Sequence, residues 1–278
     1  VDSRRVFKDW VKPGPLAPGG LEPSEDESLD AISGDYRLFQ LKKGHRFSTD
    51  DLLAAWYGTL SCPRAETVLD LGSGIGTVGM IAAWRLPGAR LVTVEAQEQS
   101  VLLARKSARF NGVESRYEIR QGDFRDPGVL REDEVFDLVL GSPPYFPMDA
   151  GIHGDHPQKT ACRFEMRGDV SDYCKVAAKH LGPGGVFACV FPDGVERQRD
   201  RVFAGARAAG LVITRVRRVE LKEGESAGLA VFAMQLKQHL PPAFRERTFE
   251  EPPLVIRLRD GAVSSEYSVV KLSIGFPP

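Results

Sequence analysis

Thr67-Val68-Leu69-Asp70-Leu71-Gly72-Ser73-Gly74-Ile75-Gly76 is the stretch that decides the fold. Val68, Leu69 and Leu71 make an apolar run of strand length, and three alternating glycines follow at once. A glycine-rich turn between a strand and a helix lets backbone approach a ligand closely and presents helix N-terminal amides to it. The spacing is G-x-G-x-G. Thr77 stands where the third glycine of the dinucleotide fingerprint G-x-G-x-x-G would fall.

Outward from this turn the pattern alternates strand and helix. Downstream, strands are expected at 90–95, 117–121, 136–140, 186–191, 212–221 and 229–236, and helices at 78–86, 99–110, 170–181 and 195–209. Asn111-Gly112 and Gly210 are helix stops. The last two strands form a hairpin around 222–228. The fold class is α/β: a Rossmann-like, doubly wound, mostly parallel seven-stranded sheet with an antiparallel last strand. Upstream, Tyr36–Leu41 alternates as a strand, and Ser48 or Thr49 caps a helix running through Trp56. Residues 1–35 are punctuated by Pro and Gly and carry an acidic cluster, so a flexible N-terminal arm is expected there. Residues 36–237 make the main domain, and 238–278 a C-terminal extension packing on it, with an edge strand at 254–258.

Ligands in open α/β sheets bind at the carboxyl ends of strands. Three of those ends carry acids. Asp70 is placed to attract a cationic group such as the amino-acid end of S-adenosylmethionine. Glu95 follows the glycines by roughly 20 residues, where a carboxylate accepts ribose hydroxyls. Asp123 suits an adenine amino group, with Phe124 against the ring. The order Gly72, Gly74, Gly76, Glu95, Asp123, Phe124 therefore favours an adenosyl cofactor over NAD.

The fourth strand end reads Gly141-Ser142-Pro143-Pro144-Tyr145-Phe146. Two prolines fix two φ angles near −65° and remove two donors. The loop is stiff and holds a hydroxyl, a carbonyl and a ring. An exocyclic amino nitrogen is a poor nucleophile because its lone pair is delocalised. Acceptors at Ser142 Oγ and the Pro143 carbonyl would favour the tetrahedral nitrogen, and Tyr145 would stack the base, contributing about 1–3 kcal/mol. The catalytic candidates are thus Ser142, Pro143 and Tyr145.

These motifs resemble class I S-adenosylmethionine-dependent methyltransferases with an [N/D/S]-P-P-[Y/F] signature. More closely, residues 36–272 resemble the bacterial tRNA (adenine-N6) methyltransferases that modify valine tRNA beside the anticodon. The resemblance also takes in the helix from Ser48 to Trp56, Phe191-Pro192-Asp193, and the tail segment from Asp260 to Ser268. It implies S-adenosylmethionine as cofactor, Thr49 near its amino-acid end, and RNA, in particular tRNA, as partner. The family usually has Asn where this chain has Ser142. Ser in that place is known from enzymes that methylate the cytosine N4 amino group.

Between the loop and the next helix, Lys159 and Arg163 are candidates for substrate phosphate, and Tyr145 and Phe146 for the base. His153 and His156 read as a polar loop rather than a metal site. The arginines between Arg197 and Arg218 are either a second RNA face or a solvated surface. A formal net charge of −1 argues against a chain that coats nucleic acid electrostatically. No apolar run approaches a membrane span, and the four cysteines form no C-x-x-C pair. A cytoplasmic location is expected. A protein glutamine N-methyltransferase and a non-catalytic binding module on the same fold are the competing readings.

Overall fold

The computed structural model describes residues 5–7, 9–145, 168–194 and 196–278. Its strands are β1 (Val6–Phe7), β2 (Trp10–Val11), β3 (Glu27–Ser33), β4 (Tyr36–Leu41), β5 (Thr67–Leu71), β6 (Arg90–Glu95), β7 (Tyr117–Gln121), β8 (Phe136–Gly141), β9 (Leu181–Pro192), β10 (Leu211–Lys222), β11 (Leu229–Leu236) and β12 (Phe249–Arg257). Its α-helices are α1 (Thr49–Ser61), α2 (Thr77–Arg85), α3 (Glu98–Phe110), α4 (Val170–His180), α5 (Glu196–Ala208) and α6 (Ser265–Ser273).

The central sheet runs β12-β10-β11-β9-β8-β5-β6-β7. Neighbours from β9 through β8, β5 and β6 to β7 pair in parallel, and β11 is antiparallel to both β9 and β10. The inner strands are near-continuous apolar runs because both of their faces are covered. Alternation along each strand divides the core in two. Val68, Leu138, Leu140 and Ala188 pack with Leu53, Tyr57, Ile81 and Leu103 of α1, α2 and α3. Leu69, Leu71, Val139 and Phe187 pack with Tyr173, Ala177 and Val202 of α4 and α5.

The sheet has eight strands where seven are expected. The eighth, β12, begins at Phe249 and joins the edge in parallel with β10. It is the edge strand expected at 254–258, begun earlier: Pro252 and Pro253 hide its start in the sequence, and an edge strand is where proline is tolerated.

The stretch expected to be a flexible arm ends in a strand. β3 pairs antiparallel with β4 from Glu27↔Leu41 to Ser33↔Tyr36. Its acids are paired rather than solvated: Glu27 meets Lys106 at 2.5 Å, and Asp30 meets Arg46 at 3.0 Å. The other edge of β4 rests on α3, where the Asn111 side chain accepts from Arg37 N and donates to Arg37 O, at 2.9 and 2.8 Å. Farther up, Gly14 lies directly against the Trp84 indole, and Gly19 N donates to Phe110 O at 3.0 Å.

The C-terminal extension returns to this hairpin. Ser264 Oγ caps α6 by accepting from Tyr267 N at 3.0 Å. Ser33 Oγ then donates to Ile274 O, and Gly34 N to Gly275 O, each at 2.7 Å. Among the described residues no helix is long and apolar enough to cross a membrane.

Candidate active site

The turn after β5 starts the site. Gly72 and Gly74 have φ of +61° and +56°, a region that side chains other than glycine's rarely adopt. A Cβ on Gly72 would sit 2.1 Å from the Tyr173 hydroxyl, whereas one on Gly74 would meet nothing within 4 Å. The turn is therefore packed at its base and open at its tip.

Glu95 is held by that tip. It is 7% exposed, and its two oxygens accept from Gly74 N at 2.9 Å and Gln97 N at 2.6 Å. Asp70, 1% exposed, accepts from Gly79 N at 2.9 Å, which satisfies an otherwise unpaired amide in the first turn of α2. Burial pushes the Asp70 carboxyl well above its ordinary range, and the charges of Asp51 and Glu95 add to this. Asp51 sits in the first turn of α1, where it accepts from Ser48 N at 3.0 Å. Burial first, then the neighbouring Asp50, raises it to about 7.

The loop after β8 forms the opposite wall. The Tyr145 hydroxyl donates to Asp50 Oδ2 at 2.7 Å, and its ring meets Phe191 edge-on at 5.6 Å. Burial raises Asp50 despite that bond. Ser142, half-buried, lines the same wall.

One cavity of about 450 Å³ joins these parts. Asp70, Gly72, Gly74, Glu95, Asp123, Phe124, Ser142, Pro143 and Tyr145 all line it. Its size falls in the range of small-molecule sites, roughly 300–1,000 Å³. Asp123 is bridged by Arg125 at 2.9 and 2.6 Å, and Phe124 packs edge-on against Tyr173 at 4.7 Å.

Two of the expected residues do not line this cavity. Thr49 is not among the lining residues, whereas its neighbours Ser48, Asp50 and Asp51 are. Gly76 also stands back from the cavity. It precedes α2 with φ +90°, and its carbonyl accepts from the Tyr117 hydroxyl at 3.4 Å. Phe146, Lys159 and Arg163 lie outside the described residues, as do His153 and His156.

Most of the arginines near α5 and β10 are bound within the fold. Arg199 and Arg218 reach Asp193 at 3.6 and 2.8 Å. Arg215 binds Glu251 at 2.8 Å with its guanidinium over Tyr57, and Arg217 pairs with Glu266 over Trp56. They fasten the C-terminal extension to the sheet.

Sequence reading missed Asp50, Asp51, His45 and Tyr173 as cavity residues. The two aspartates look like ordinary N-terminal helix acids, for which the macrodipole is reason enough. Tyr173 comes from α4 and reaches the site only through packing.

The donor set suits S-adenosylmethionine. Glu95, held by two amides, is a carboxylate of the kind that suits a ribose diol, the open tip of Gly74 admits backbone approach, and acidic walls at Asp50, Asp51 and Asp70 suit its cationic end. The family model described as methyltransferase small domain matches residues 50–199. The tRNA1(Val) (adenine(37)-N6)-methyltransferase of Porphyromonas gingivalis strain W83 is 30% identical over 184 residues, 64% of this chain and 71% of the relative. The release factor glutamine methyltransferase of Aliivibrio fischeri is 34% identical over 83 residues, 30% of this chain and 28% of the relative. A solved structure, a predicted O-methyltransferase from Agrobacterium tumefaciens, superposes with a TM-score of 0.61 at 18% identity over 82% of this chain and 98% of its own. The chain belongs to the methyltransferase small domain family, and it is an S-adenosylmethionine-dependent methyltransferase.

Proposed function

We propose that this enzyme methylates an exocyclic amino group of a base in RNA, with adenine N6 of a tRNA as the acceptor. One observation carries the reading: the Ser142-Pro143-Pro144-Tyr145 loop and the Gly74–Glu95 turn face a single cavity. The adenine-N6 specificity in the name of the Porphyromonas gingivalis relative supports it.

When bound, S-adenosylmethionine supplies an electrophilic methyl group. The chain's own residues bind and orient. Glu95 would take the ribose hydroxyls and Asp123 the adenine amino group, while Asp70, with Asp50 and Asp51 beside it, would face the cationic end. The Pro143 carbonyl and the Ser142 hydroxyl accept from the target N–H, and the Tyr145 ring holds the base, which must first be swung out of its stack. No strong general base is needed, since an alkylated amino nitrogen loses its proton readily. The residues act mainly by holding the nitrogen in line with the methyl. Phe146, Lys159 and Arg163 remain candidates for the RNA side.

The test is transfer from labelled S-adenosylmethionine to tRNA from cells lacking the enzyme, followed by nucleoside mass spectrometry. N6-methyladenosine above a Tyr145→Ala control is expected, and its absence overturns the reading. The similarity to the release factor enzyme favours a second acceptor, a glutamine carboxamide, whose nitrogen is equally delocalised. A release-factor-type peptide containing glutamine is its assay.

A further inference from the structure

We propose that Tyr173 is a positioning residue for methyl transfer: its ring is a spacer on which the cofactor turn at Gly72 and the acceptor loop after Gly141 both rest, and it sets the gap between the transferred carbon and the acceptor nitrogen. The proposal rests on the reading above that the loop from Ser142 to Tyr145 holds the acceptor, and it adds what fixes the separation.

The two halves of the site leave the sheet side by side. Leu71 and Gly141 are register partners on the parallel strands β5 and β8, and the residues after them, Gly72 and Ser142, open the turn and the loop. Tyr173, 4% exposed, reaches that junction from α4. A Cβ on Gly72 would overlap its hydroxyl. A Cβ on Gly141 would come within 2.7 Å of its Cδ1 and 3.0 Å of its Cε1. Gly72 has a backbone reason to be glycine, its φ of +61°. Gly141 has no such reason, since it ends a strand and lies outside the positive-φ region. What excludes a side chain there is the Tyr173 ring, and a glycine inside a strand often marks such a close approach.

The ring is itself held. Phe124 meets it edge-on at 4.7 Å. Asp169 caps α4 by accepting from Ser171 N at 2.9 Å and Asp172 N at 3.0 Å, and Cys174 and Ala177 of the same helix are buried in the core. Close-packed interiors of this kind transmit displacement rather than absorb it. In the step so positioned, the acceptor nitrogen forms its bond to the transferred carbon as the carbon–sulfur bond breaks and sulfur keeps the electron pair. The alkylated nitrogen then gives one proton to water. The rate of such a step depends steeply on placement, about a hundredfold for a displacement of about 1 Å.

The test varies the length of the transferred group. Labelled S-adenosylmethionine and labelled S-adenosylethionine, each saturating, are compared in single turnovers of the full chain with the tRNA described above. Saturation removes donor affinity from the comparison, which is needed because Tyr173 also lines the cavity. Tyr173→Leu is expected to raise the ratio of ethyl to methyl transfer about tenfold. Tyr173→Phe keeps the ring against Gly141 and removes only the group over Gly72; a rise of about threefold is expected, and this variant guards against a folding defect in the first. Lost packing alone would lower both rates together and leave the ratio where it was. Gly141→Ala completes the test: it should slow methyl transfer about tenfold in the parent, and less than about threefold in the Tyr173→Leu background, where the added methyl group has room. An unchanged ratio in both Tyr173 variants, or an equal cost of Gly141→Ala in both backgrounds, overturns the proposal. Should label reach the glutamine peptide and not tRNA, the RNA reading falls, and the same ratio read on the peptide decides the role of Tyr173.

Discussion

Glu95 reaches back across the turn to Gly74: its carboxylate accepts the Gly74 amide at 2.9 Å while the facing side of that glycine stays open. The acid is thereby fixed before any ligand arrives, and little side-chain freedom remains to be lost on binding. Glu95→Ala should raise the dissociation constant for S-adenosylmethionine about ten- to hundredfold, the loss of charge-assisted bonds worth about 1.5–3 kcal/mol. Titration calorimetry checks this. An unchanged affinity would remove Glu95 from the site.

Asp51 should make cofactor binding depend on pH. Its carboxyl is raised from 3.8 to about 7 in the folded protein, so between those values the folded state holds the extra proton. Stability contributed by that proton is present at low pH and is lost as pH rises through about 7. A cationic ligand favours the ionised form. Affinity for S-adenosylmethionine should therefore rise between pH 6 and pH 8, with proton release near pH 7, by the linkage of charge to binding. Calorimetry in buffers of different ionisation enthalpy measures the protons released. Asp51→Asn should flatten the pH dependence, and an equally steep one would assign it to Asp50 or Asp70.

Ser142 should matter for turnover and not for the cofactor. Ser142→Ala removes one acceptor from the wall of the cavity while leaving Glu95 and the glycine turn untouched. Single-turnover assays are expected to show a fall of about tenfold, with cofactor affinity within about twofold of the parent. An unchanged rate would mean that the Pro143 carbonyl and Tyr145 suffice.

Glu251 should matter for stability alone. Its carboxylate takes the hydroxyl of fully buried Tyr57 at 2.6 Å and Arg215 Nε at 2.9 Å. Glu251→Ala leaves a buried phenol and a half-buried guanidinium without that partner. The cost should be about 2–3 kcal/mol, lowering Tm by about 5 °C. Thermal denaturation followed by circular dichroism reads it, and a shift under about 1 °C would mean that water replaces the carboxylate without loss.

What could be read without coordinates was what is local. The β5 turn, Glu95 at the end of β6 and the stiff loop after β8 each carry their meaning within ten residues, and the parallel sheet follows from their order. β3 and the first half of β12 were harder, because Glu27, Asp30, Pro252 and Pro253 are residues that usually mark loops, while the edge strand at 254–258 was legible. They become strands only because Lys106, Arg46 and the edge of β10 are there to receive them. Thr49 and Asp50 show the same limit at single-residue scale. They are adjacent on one helical turn, yet Asp50 lines the cavity and binds Tyr145 while Thr49 does not line it, and no local pattern says which of the two meets the cavity. The arginines of β10 read as charge, and only their carboxylate partners show that they act as fasteners.

The bond from Gly34 to Gly275 has a topological consequence. Both glycines, and Gly14 with them, rest against the indole of Trp84, so the polypeptide is clasped into a ring at one tryptophan. A ring can be reopened elsewhere. Joining the two terminal segments by a short linker and cutting instead at the exposed turn around Gly224, between β10 and β11, would leave every strand pairing of the sheet in place. Such a circular permutant would carry its new ends at the β10–β11 turn, with β9 and β8 between them and the strands that hold the glycine turn and Glu95.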